Sequence, residues 1–141
     1  MRIDDGHQTL ITFAADSDVK IWEKTITPPG VDGGGANDTT TMRNTMWRTM
    51  APKKLKTLTN SSATVAYDPV FYNEAVAMIN VNQLITFIFP DSSEIAIWGW
   101  LNTFTPGEVV EGSQPTAECV IIPSNQNTTQ IETGPAYTAP G

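Results

Sequence analysis

Leu84-Ile85-Thr86-Phe87-Ile88-Phe89, Pro90-Asp91-Ser92-Ser93 and Glu94-Ile95-Ala96-Ile97-Trp98-Gly99-Trp100-Leu101-Asn102-Thr103-Phe104 form the stretch from which the fold is read. Two runs of β-branched and aromatic residues flank a cluster of turn formers, so residues 83–104 read as a β-hairpin. Gly99, between two tryptophans, marks a bulge or a close backbone approach, because glycine has no side chain to pack in a sheet.

Beyond the hairpin, the breaker-rich segment Thr105 to Gln114 leads to a further strand, Thr116 to Ile122. Residues 123–141 are rich in Pro, Thr, Asn and Gly and read as an extended C-terminal tail, at most partly ordered by contact with a neighbour. Before the hairpin, Asp68 and Pro69 open a helix as N-cap and first helical residue. Phe71, Ala75, Met78 and Ile79 give it an apolar stripe, and Asn80 suits its end, so a helix is expected over about 69–79. Leu55 to Leu58 and Ala63 to Tyr67 read as strands around an Asn60-Ser61-Ser62 turn. Gln8 to Ala14 and Val19 to Ile26 read as strands around the turn Ala15 to Asp18, with Trp22 mid-strand.

Between these elements lies a long inter-strand loop over about 28–54, extending to Lys56. It opens on Pro28-Pro29-Gly30 and Gly33-Gly34-Gly35 and continues as a Thr-rich, basic run without core periodicity. The glycine run is no phosphate cradle, because neither Gly-Lys-Ser/Thr nor a helix follows. A loop this long inside a compact domain is functional or disordered. The expectation is a mainly β single domain over 1–141, with one flanking helix and an N-terminal arm at 1–7.

The chain has 141 residues, a length typical of one domain and able to bury a core without disulfides. One Cys and one His cannot make a Cys/His zinc site, and His7 is the only candidate base for a Ser- or Cys-dependent mechanism. Met1-Arg2-Ile3-Asp4-Asp5 has no apolar run, so no signal peptide is expected, and no stretch is apolar enough to predict membrane insertion.

The formal net charge is −7, and it is divided unevenly. All eight basic residues lie at or before Lys56, against seven acids in that half, while residues 57–141 hold eight acids and no base. This split suits self-association, the basic segment of one copy meeting the acidic face of another.

Candidate chemistry is sparse. Glu94, Glu108 and Glu111 could in principle supply an acid–base pair, but they read as solvated charges because no His, Lys or Cys is near them in sequence. Cys119 reads as a buried structural thiol. Arg43, Arg48, Lys53, Lys54 and Lys56 with Trp47 make a weak nucleic-acid signature. Subunit contact is the better use of Met42, Met46, Met50, Trp47 and the arginines, since Met, Arg and Trp are enriched at interface cores. Trp98 and Trp100 read as sheet-face packing before they read as a ligand platform. No catalytic residue, metal ligand or cofactor site is expected.

At this point the sequence resembles the major tail tube proteins of long, non-contractile-tailed bacteriophages. The matching segments are Ile21 to Gly30, Asp38 to Asn44, Trp47-Arg48-Thr49, Pro52 to Leu58 and Ala66 to Pro69. They continue with Ile88 to Ser93, Trp98 to Leu101, Phe104 to Glu108, Glu111-Gly112 and Gln114 to Ala117. No single motif is specific; their order and spacing over about 20–120 carry the resemblance. One departure is Asp91-Ser92-Ser93, where similar proteins have Asp-Gly-Ser.

The resemblance implies a small, barrel-like β-sandwich and a tube of hexameric rings stacked head to tail. It places the long loop against the adjacent ring, which makes Thr39, Thr40, Thr41, Met42, Arg43, Asn44, Met46, Trp47, Arg48, Lys53, Lys54 and Lys56 the expected interface. Glu94 and Glu118 are the candidates for the lumen wall. The implied partners are the chain itself, tail-tip, tail-terminator and tape-measure proteins, and double-stranded DNA passing without specific binding. The implied location is the virion tail, after synthesis in the bacterial cytoplasm. The alternatives are a capsid decoration or tail-completion protein, and a small β-fold hydrolase or carbohydrate-binding module using Trp98 or Trp100.

Overall fold

A computed structural model describes residues 3–14 and 21–140 of the chain. The turn Ala15 to Asp18, and Val19 and Lys20 of the expected second strand, lie outside the described residues. The hairpin forms as read, from β8 (Gln83–Ile88) and β9 (Glu94–Pro106), with Leu84 opposite Trp98 and Ile88 opposite Glu94. At its turn Phe89 N donates to Ser93 O and Ser92 N to Phe89 O, both at 2.9 Å. Ser92 has φ +70°, a conformation that favours glycine. The departure from Asp-Gly-Ser therefore leaves the left-handed turn in place and puts a Cβ in it. The Ser93 hydroxyl, and after it the Ser93 N–H, bond to Asp91 and hold its carboxyl below the ordinary value.

The remaining elements are β1 (Leu10–Phe13), β2 (Glu23–Thr27), β3 (Val31–Asp32), β4 (Ala36–Asp38), β5 (Met50–Pro52), β6 (Thr57–Leu58), β7 (Ser61–Ala66), α1 (Pro69–Met78), β10 (Thr116–Pro123) and β11 (Ala136–Thr138). The main sheet is antiparallel throughout and runs β1-β8-β9-β10-β7-β2, with β11 also on β9. It curls until its two edge strands meet, where Ile11 N donates to the Glu23 carboxylate at 3.0 Å. Ile11, Phe13, Ile85, Phe87, Ile97, Leu101, Cys119, Ile121, Ala63 and Val65 fill the interior.

Long β9 joins the two halves of this sheet. Residues 94–99 pair with β8, and residues 99–106 pair with β10 on the opposite edge. Gly99 marks the close approach: a Cβ there would stand 2.5 Å from the Ile122 carbonyl oxygen. The bulge falls three residues later, because Val120 faces Thr103 while Ile121 faces Leu101, leaving Asn102 extra. That extra residue shifts the inward set from Ile97 and Leu101 to Phe104, so β9 stays core-facing through its bend.

The helix begins where the sequence directs. Asp68 is extended and accepts from Val70 N at 3.0 Å, and Pro69 takes the first helical position. Phe71, Ala75 and Met78 are buried, and Phe71 meets Phe104 edge-on at 5.0 Å. Asn80, with φ +65°, ends the helix, and its N–H bonds Leu101 O at 3.1 Å, on the β9 edge that β8 leaves open.

Five expectations are corrected. The 28–54 loop is no unstructured loop: β3 pairs with β6 and β4 with β5 in two separate short ladders. The 123–141 tail returns to its own sheet, where β11 pairs with residues 94–96 of β9. Ser61 and Ser62 belong to β7 and not to a turn; Ser61 is fully buried and donates to Thr27 O at 2.7 Å. Trp22 precedes β2 with φ +52° and is half exposed, so it is not mid-strand. Leu55 and Lys56 also fall outside their expected strand, which is reduced to Thr57–Leu58.

Two substitutions test the bend and the turn with opposite signs. Gly99→Ala is expected to destabilise by about 2–3 kcal/mol through overpacking, and Ser92→Gly to stabilise by about 0.5–1 kcal/mol through relief of the left-handed residue. Thermal unfolding followed by circular dichroism checks both, with shifts of roughly 8 °C down and 3 °C up.

Candidate assembly surfaces

The segment from Gly30 to Thr57 contains no buried residue, and its strands join no strand of the main sheet. It is an arm projecting from the sheet. Its root is clamped by two bonds, Gly30 N to Thr59 Oγ1 at 2.7 Å and Thr59 N to Gly30 O at 2.8 Å. The chain bends at Gly34 and Gly35, both at positive φ, with Gly34 N donating to Asp32 Oδ1 at 2.8 Å. The β4–β5 ladder then carries it to a tip over residues 39–49.

That tip is held without a hydrophobic core. Thr39 N donates to Thr49 O at 2.9 Å, and Thr49 N to Thr40 Oγ1 at 3.1 Å. Asn44 accepts from Thr41 N at 3.2 Å and donates to Trp47 O at 2.7 Å. Asp38 accepts from Thr40 N at 2.9 Å and from the Arg48 guanidinium at 3.2 Å. Thr40, through its side chain and then its N–H, is the main cause that lowers the Asp38 pKa, with Arg48 contributing less. Thr and Asn recur here because their short polar side chains bond nearby backbone in place of a sheet ladder.

The twelve expected interface residues therefore divide by role. Thr39, Thr40, Thr41, Asn44 and Arg48 build the tip. Met42, Arg43, Met46, Trp47, Lys53, Lys54 and Lys56 project from the arm; Met42 is fully exposed and Trp47 78% exposed. Val31 and Leu55 add exposed apolar surface nearer the root.

Glu94 and Glu118 fall on the outward face of the main sheet but near opposite ends. Glu94 faces Ile88 and Thr138, while Glu118 faces Thr64 and Thr105. They cannot act as one carboxylate pair. Around Glu118 this face presents Thr25, Thr27, Ser62, Thr64 and Thr105, and toward Glu94 it presents Trp98, Trp100, Leu84 and Ile122. Among the described residues, no Lys or Arg stands in the outward register of these strands: Lys24 occupies the irregular step in β2 and donates to Gln114, and the other described bases are on the arm. Trp98 and Trp100 are half-buried, and Ser124 N donates to Trp98 O at 2.8 Å as the tail crosses the strand.

Burial, and after it the charge of Glu23, pushes the Cys119 thiol up to about 12, so it holds no thiolate at neutral pH. Among the described residues, no three His, Cys, Asp or Glu side chains gather to hold a metal, and no helix is long and apolar enough to cross a membrane.

The sequence matches no protein-family model and no curated protein. Solved structures do share the fold. A chain of the virion of a native gene transfer agent particle is 12% identical, with TM-score 0.65 over 97% of this chain and all of its own. A chain from the tail of an empty gene transfer agent particle, refined helically with C6 symmetry, is 10% identical, with TM-score 0.61 over 97% of this chain and all of its own. A chain of the anti-feeding prophage baseplate, six-fold symmetrised, is 7% identical, with TM-score 0.62 over 93% of this chain and 91% of its own. These similarities show a common fold across nearly the full length.

Asn44→Ala tests the account of the tip. Hydrogen exchange is expected to accelerate about 10-fold for the 41–49 amides, roughly 1.4 kcal/mol of local opening, with the midpoint of global unfolding unchanged.

Proposed function

We propose that this chain is a structural, non-enzymatic subunit of a phage-type tail tube, assembling with itself into hexameric rings stacked head to tail. The observation that carries the reading is the arm: exposed Met42, Met46 and Trp47 on a rigid, basic projection from a body whose sequence after position 56 has no base. The fold shared with chains of tail and baseplate particles supports it. An arm on one copy that meets a different surface on the next is a heterologous contact, and such contacts propagate into rings and filaments.

The outward sheet face suits a channel for double-stranded DNA. Lys and Arg contacts to phosphate supply most sequence-independent DNA affinity, so a wall of Thr, Ser and Glu118 at one end, and of Trp98, Trp100 and Glu94 at the other, without a base among them, lets DNA pass without holding it. In this reading the basic arm joins rings and stays out of the channel. The further partners are tail-tip, tail-terminator and tape-measure proteins, and the location is the virion tail, reached from the bacterial cytoplasm. The likeness to a baseplate chain favours one second reading, a closed ring at the end of a tail.

Electron microscopy of the purified chain separates the two. Tubes of stacked six-fold rings are expected, and single closed rings would favour the second reading. Trp47→Ser is expected to abolish tubes while leaving the unfolding midpoint within about 2 °C, since the substitution changes an exposed side chain and keeps the backbone carbonyl that Asn44 bonds.

A further inference from the structure

Helix α1 buries Phe71, Ala75 and Met78 and turns Val70, Tyr72 and Val76 outward, each more than half exposed. A helix facing solvent carries polar and charged residues on that side, and one that is apolar all round belongs in an interior. The 107–114 segment leaves the sheet beside this helix. Tyr72 meets Phe104 at 6.3 Å, and Tyr67 N donates to Pro115 O at 2.9 Å. That segment adds exposed Val109 and Val110 between Glu108 and Glu111, and the helix adds Glu74. The outer helix face, with Asn73 and Ala77 among its valines, and the neighbouring segment thus expose apolar side chains interspersed with acids.

The arm is its counterpart, apolar at Met42, Met46 and Trp47 and framed by Arg43, Lys53 and Lys54. We propose that the arm of one copy docks on the outer face of α1 and the adjoining 107–114 segment of a second copy. This rests on the assembly reading above and names the surface that receives the arm. Flexible methionines adapt to an uneven Val and Tyr surface, while the cations meet the acids at the rim and fix the register. The eleven residue-to-residue steps from Trp47 to Leu58 span at most about 36 Å extended, more than twice the roughly 14 Å radius of gyration of a compact chain of this length, so the tip has the reach to leave its own body.

Cysteine pairs test the contact, and buried Cys119 stays silent in the assay. The variant Met46→Cys/Val76→Cys is assembled, oxidised and run on a non-reducing gel. A ladder of covalent multimers is expected, absent from each single variant and from Met46→Cys/Ile131→Cys, which probes the exposed tail instead. Tubes that give the ladder only with Ile131→Cys, give none, or give only an intramolecular link overturn the assignment. Absence of tubes from the wild-type chain overturns the assembly reading itself, so the two failures are distinct. A second measurement covers a cysteine variant that does not fold: Glu74→Lys/Glu111→Lys is expected to raise the critical concentration for tubes at least about 10-fold with an unchanged unfolding midpoint. An unchanged critical concentration overturns the proposal.

Discussion

The close passage of β9 and β10 at Gly99 is the contact on which the rest of the structure depends. A single strand, Glu94–Pro106, serves both halves of the sheet, first beside β8 and then beside β10. The transfer occurs at Gly99, where no side chain fits against the Ile122 carbonyl. The bulge at Asn102 then restores the inward phase, so that Phe104 meets the helix. Without both features the curled sheet would lose the pairing of one half or the core contacts of the other. The root of the arm depends on this frame indirectly, since β2 and β7, which bracket it, are held on β10.

The arm obeys different physics. It has no core, and it is ordered by hydroxyl and amide bonds to its own backbone, centred on Asn44, Thr40 and Thr49. Exposed bonds of this kind each contribute little; together they present Met42, Met46 and Trp47 in a fixed arrangement. In the proposed assembly, a tip ordered before contact would lower the entropy lost when two copies meet. The charge division has the same logic: five of the bases sit on the arm, and the sequence beyond it offers only acids.

Elements governed by side-chain periodicity were legible in the sequence. The hairpin, the helix with its Asp68 cap, and the close approach at Gly99 follow from alternation, stripe spacing and one glycine. Elements governed by local hydrogen bonds or by distant pairing were not. The β3–β6 and β4–β5 ladders are two or three pairs long and expose both faces, so no alternation marks them. Ala136-Tyr137-Thr138 is too short to signal a strand, and the β9 edge that orders it is some forty residues earlier in the sequence. Asn60-Ser61-Ser62 has the composition of a turn, yet Ser61 is in the strand because its buried hydroxyl is bonded to Thr27 O. Which arm residues build the tip and which project from it depends on bonds the sequence does not display.

The central claim is that the arm carries assembly. Oxidative footprinting of methionine before and after self-association tests it most directly, with buried Met78 as an internal reference. The account predicts that Met42 and Met46 react readily in the unassembled chain and become protected at least about 10-fold in the assembled particle, because burial in an interface removes access to the oxidant. Equal reactivity of both methionines in the two states would contradict it.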